Sequence, residues 1–111
     1  MIKNISKAEV LVLKDQVAYQ EGQVVSKTLA QNDALSVTLF SFDKGEEIST
    51  HESGGDAFVT CLDGVGEITI DGEKYELHEG DQLLCRQSIR MQCTEKSSLR
   101  CCLSLYFNKN M

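Results

Sequence analysis

Residues 66–81 read GEITIDGEKYELHEGD. Ile68 and Ile70 alternate with polar neighbours, Asp71-Gly72 follows, and Tyr75 and Leu77 resume the alternation. A period of two places every second side chain on one face, the pattern of a half-buried strand. An Asp-Gly pair between two such runs marks a tight hairpin, because both central turn residues need positive φ. Strands are therefore expected over 66–70 and 73–77, with Gly80-Asp81 as the next turn.

The same period continues in both directions. Leu99, Cys101, Leu103, Leu105 and Phe107 alternate with Arg100, Cys102, Ser104 and Tyr106, and Leu35, Val37 and Leu39 alternate with Ser36 and Thr38. Glycine recurs at short intervals, at Gly45, Gly54-Gly55, Gly64, Gly66, Gly72 and Gly80. Strands are expected near 24–31, 35–42, 46–51, 57–62, 82–86, 89–94 and 99–107. Only residues 5–19 stay open, between a helical turn and a further strand. Short strands with frequent turns predict an all-β fold, a sandwich or small barrel.

A chain of 111 residues with 41% hydrophobic and 25% charged residues fits one globular domain, neither disordered nor membrane-embedded. There is no proline, and the five cysteines, Cys61, Cys85, Cys93, Cys101 and Cys102, contain no CxxC pair. Neither a disulfide scaffold nor a thiol-rich zinc site is expected from that pattern. The first apolar run, Val10 to Leu13, is too short for a signal peptide or spanning helix, so a cytoplasmic setting with reduced thiols and no membrane is expected. Net charge is −6, concentrated in residues 43–81, where twelve acids meet two lysines. Such a balance excludes unspecific nucleic-acid binding, which needs a basic face. The excess of positive charge in residues 82–111 directs attention to Arg86 and Arg90 as a cationic rim for an anion.

From Gly45 the chain resembles a known family. Residues 45–64, GEEISTHESGGDAFVTCLDG, and residues 80–91, GDQLLCRQSIRM, are similar to the two signature segments of the cupins. The resemblance spans about residues 35–95 and implies a cupin double-stranded β-helix, a jelly roll of two antiparallel sheets. It implies one domain over 1–111, with residues 1–34 supplying N-terminal strands and a dimer contact, and 35–107 the barrel. Gly45, Gly64 and Gly80 fit the motif. Of the four positions that hold a divalent metal in metal-bearing cupins, His51 fits, while the others are Ser53, Ala57 and Met91. In the second segment the proline and glycine positions are Arg86 and Ser88. The missing proline and the lost ligand thus fall in one rewritten segment, Cys85 to Cys93.

Three imidazoles and a carboxylate can hold Fe, Mn, Ni or Zn with positions left open, whereas one imidazole cannot do so tightly. Ala57 offers no donor, and the Met91 thioether suits soft ions. The first expectation is therefore a small molecule bound in the barrel without a tightly held metal, lined by His51, Ser53, Ala57, Val59, Met91 and Cys93, with Arg86 and Arg90 at the mouth. The alternative is a metalloenzyme (dioxygenase, isomerase or cyclase) using a divalent transition metal on His51, Asp56 and atypical ligands from other strands. Asp56 neighbours Ala57 and so faces away from it unless Gly54-Gly55 distort the strand. A third option is a purely structural dimer with a filled barrel. Cys93, two residues past Met91, shares its face and would be a nucleophile or, with His51 and Met91, a Cu(I) ligand; as a buried thiol it is core. His78, in a polar turn, is expected to be exposed. No catalytic residue is assigned, and a homodimer is expected by the resemblance.

Overall fold

The computed structural model describes residues 1–49, 55–86, 89–93 and 97–107, with Arg86 as backbone only. Its strands are β1 (Val24–Gln31), β2 (Leu35–Phe42), β3 (Glu47–Ser49), β4 (Gly55–Ile70), β5 (Glu73–His78), β6 (Gln82–Arg86), β7 (Arg90–Gln92) and β8 (Leu99–Phe107). The fold is all-β with antiparallel pairing, as expected. Sheet A runs β1-β2-β8-β4-β6, and sheet B runs β3-β7-β4-β5. The Asp71-Gly72 turn forms with φ of 50° and 82°, as the β4–β5 hairpin requires.

Residues 57–62 and 66–70 form one 16-residue strand, not two. The first half of β4 pairs with β8 and β6 in sheet A, the second with β5 and β7 in sheet B. The transition is a bulge between Cys61 and Asp63, which moves the inward parity from Ala57, Val59 and Cys61 to Gly66 and Ile68. Gly64 follows at φ 80°, and a Cβ there would lie 1.9 Å from the Ser98 carbonyl oxygen. Only glycine allows the strand to turn the corner so close to its neighbour. Hydrogen bonding to other strands continues through the bend, so the glycines bend a strand instead of ending it.

The core lies between the sheets. Phe42, Val59, Cys61, Ile68, Met91, Leu99 and Cys101 are almost fully buried there. Phe40 and Phe42 project inward from β2 with ring centroids 5.9 Å apart. The alternation that marks β2 runs the other way from that of β8. Leu39 and Val37 lie on the outer face of sheet A, in a second cluster with Val17, Leu29, Ile5, Leu13 and Cys102.

That outer cluster is closed by the N-terminal segment, whose regular part is a 3-10 turn at Leu13–Gln16. Three successive carbonyls anchor it: Gln16, Val17 and Ala18 accept from Lys27 Nζ (3.1 Å), Arg100 Nη1 (3.4 Å) and Ser41 Oγ (2.8 Å). The donors come from β1, β8 and β2, so three strands grip one short peptide stretch. Arg100 also donates to Asp63 Oδ2 from Nε (3.1 Å) and Nη2 (2.7 Å), and its guanidinium stacks on Tyr19 at 4.7 Å. Residues before 35 thus supply one strand, β1, and a cover for sheet A.

Candidate functional site

At one end of the sandwich, the interior rows are built across the strands. Ala57 on β4 stands opposite Leu105 on β8 and Cys85 on β6, and Val59 stands opposite Leu103 and Leu83. Directly opposed residues of an antiparallel pair share a face. On sheet B, Met91 stands between Ile48 and Ile68. Ala57, at 3% exposure, and Met91, at 0%, fall with Val59 and Cys93 in one core cluster. Four of the expected lining residues are therefore brought together. His51 and Ser53 lie outside the described residues.

The chemistry available at the described positions is apolar. Ala57 presents a methyl group and Met91 a thioether, and among the described residues no three His, Cys, Asp or Glu side chains could hold a metal. Cys93 Sγ donates to the Asp43 carbonyl at 2.9 Å, and burial pushes its thiol pKa upward. A thiol held protonated and turned to a backbone acceptor is a weak nucleophile and a poor ligand. Asp56 is exposed while its neighbour Ala57 is buried, so Gly55 does not rotate it into the interior.

Arg90 lies on the outer face of sheet B, opposite in parity to Met91. Its Nε donates to Glu47 Oε2 at 2.9 Å, and its Nη2 reaches the same oxygen. The guanidinium is turned away from the barrel and its charge is matched on the surface by Glu47. For Arg86 the backbone sits opposite Asp56, on the row outside Ala57 and Cys85. His78 is exposed at the end of β5, near Glu76 and Asp81.

Two interior features were not singled out in the sequence. Cys85 is buried beside Ala57, and the inner face of β1–β2 carries hydroxyl side chains. Their signal is the shared parity of Ser26 and Thr28 on one strand with Ser36 and Thr38 on the next.

The family model described as the cupin domain, Cupin_2, matches residues 38–99, more than half of the chain. The chain belongs to the cupin family. Among solved structures, this cupin is similar to a conserved protein of unknown function from Streptococcus pyogenes at 37% identity, with 97% of this chain and 95% of that one covered and a TM-score of 0.87. A cupin superfamily protein from Desulfitobacterium hafniense is 28% identical over 97% of this chain and 99% of its own, at a TM-score of 0.86. A Cupin 2 conserved barrel domain protein from Leptotrichia buccalis is 34% identical, covering 85% of this cupin and 46% of that chain, at 0.76. No curated protein matches.

Proposed function

We propose that this cupin binds a small molecule in the barrel without a tightly held divalent metal. The observation that carries the reading is the pair Ala57 and Met91: two of the family's four metal positions are filled by a buried methyl and a buried thioether. A further ligand at Ser53 would supply only a neutral hydroxyl, which leaves His51 alone as a strong donor. The half-buried apolar side chains Phe40, Leu83, Leu105 and Ile70 border the core and offer surface to an organic guest.

The reading includes a homodimer and a reducing, cytoplasmic setting. Leu84 at 60% and Tyr106 at 49% exposure, both on the outward rows of sheet A, support the first, and five free thiols support the second. Among the described residues no helix is long and apolar enough to cross a membrane.

Thermal unfolding across a divalent-ion screen tests the metal-free reading. An ion present at a hundred times its Kd would add about 2.7 kcal/mol and raise Tm by roughly 10 °C or more. No such rise is expected with Fe, Mn, Ni or Zn. A rise of that size, lost in His51→Ala, contradicts the reading and favours the metalloenzyme.

A further inference from the structure

The barrel's inner wall carries an inference that rests on the small-molecule reading and deepens it. Thr28 on β1 stands opposite Thr38 on β2, which stands opposite Leu103 on β8, which stands opposite Val59 on β4. Leu103 and Val59 are core residues, so the two threonines of this row face the interior. Ser36 occupies the row of Leu105 and Ala57, and Ser26 the row of Phe40 and Cys101. Four hydroxyls thus line the inner face of β1–β2, continuous with the apolar surface of Phe40, Leu103 and Leu105. Ser26 is exposed and the other three half-buried, and no side-chain hydrogen bond ties any of them to the rest of the described residues.

Among the described residues this wall carries no charged side chain. Every described inward-facing side chain of sheet A is uncharged, and Arg90 is committed to Glu47 on the outside of sheet B. An ionised group entering here would lose hydration with no counter-charge among the described residues to replace it. A neutral hydroxyl or ether oxygen would lose less, and a serine or threonine hydroxyl can both donate to it and accept from it. We propose that the barrel takes an uncharged amphiphile of the glycoside or polyol type. Its oxygens face Ser26, Thr28, Ser36 and Thr38, and its apolar part lies on Phe40, Leu103 and Leu105.

The test uses the full chain with 13C-labelled methyl groups and three probes: hexyl glucoside, hexanoate and hexylamine. Hexyl glucoside should shift the Thr28, Thr38, Leu103 and Leu105 methyl resonances saturably, with an affinity at least about tenfold above that of either charged probe. The double variant Thr28→Val with Thr38→Val keeps shape while removing two hydroxyls, and should weaken hexyl glucoside by about tenfold; Thr28→Ser with Thr38→Ser should keep most of it. Hexanoate or hexylamine binding to the wild-type interior as tightly as hexyl glucoside overturns the proposal without touching the metal-free reading. So does unchanged hexyl glucoside affinity in the valine variant. If no probe reaches the interior methyl groups of the wild type, the small-molecule reading falls as well. The wild-type comparison needs no variant to fold.

Discussion

Cys61 and Cys101 stand directly opposite each other on β4 and β8 and are sealed inside the core. Burial pushes the Cys61 thiol from the usual 9.0 up to about 11 and raises Cys101 further in the same direction. A thiolate is thus disfavoured in the folded chain relative to the unfolded one. The folded state holds its thiol protons above pH 9 while the unfolded state releases them, so this contribution to stability is complete below about pH 9 and shrinks as pH rises toward 11. Denaturant midpoints should fall between pH 8.5 and 10.5, and Cys61→Ala should lessen that fall; an equal fall in the variant would show that Cys61 does not contribute. A thiol reagent should label Cys61, Cys85, Cys93 and Cys101 only after denaturation, Cys102 being the half-buried exception. The inward positions of Cys61 and Cys101 were legible because their strands alternate cleanly with Ala57 and Leu99. Cys85 was not, since Gln82 to Arg86 carries apolar residues on both faces.

At the scale of elements, β4 governs the architecture because it belongs to both sheets. Gly64→Ala combines a strained φ with a Cβ placed against the Ser98 carbonyl and should cost about 3 kcal/mol or more, whereas Gly22→Ala, at φ 69° with open space around it, should cost about 1 kcal/mol. Similar Tm losses in the two variants would contradict the bend. Sequence periodicity suggested two strands there because a bulge and a turn share the same glycines; only the cross-strand pairing separates them. The N-terminal cover was illegible for another reason. Its anchors are backbone carbonyls held by Lys27, Ser41 and Arg100, so the segment itself needs no periodic pattern.

The same cover yields a charge prediction. Arg100 donates to Asp63 and holds its carboxyl below the ordinary range, with the Tyr19 hydroxyl adding a bond at 3.0 Å. The stabilisation is present above the unfolded pKa, near pH 4, and is lost as pH falls through the folded value. Asp63→Asn should cost about 1–2 kcal/mol at pH 7, since solvent reaches the pair and screens it, and progressively less below pH 4. A urea series at both pH values checks it, and a pH-independent difference would rule out the ion pair as the cause.

For the whole molecule, the Asp71-Gly72 hairpin and the framework of Gly45, Gly64 and Gly80 made the cupin fold legible. The site was less so. Strand β2 carries apolar residues on both faces, Phe40 and Phe42 toward the core and Val37 and Leu39 beneath the N-terminal segment, so its alternation could not say that Ser36 and Thr38 look inward. For Arg90 the motif position gave a place near the barrel mouth, and strand parity with Met91 adds that its side chain lies on the outer face, paired with Glu47. Motif positions placed Ala57 and Met91 correctly in the interior, and on these two residues the central claim rests. Its most direct test is the metal content of protein purified without chelator or nickel resin, measured by plasma mass spectrometry. We predict that Fe, Mn, Ni and Zn together stay below ~0.1 per chain, as expected when a single strong donor remains. Near-stoichiometric metal that disappears in His51→Ala would contradict the account.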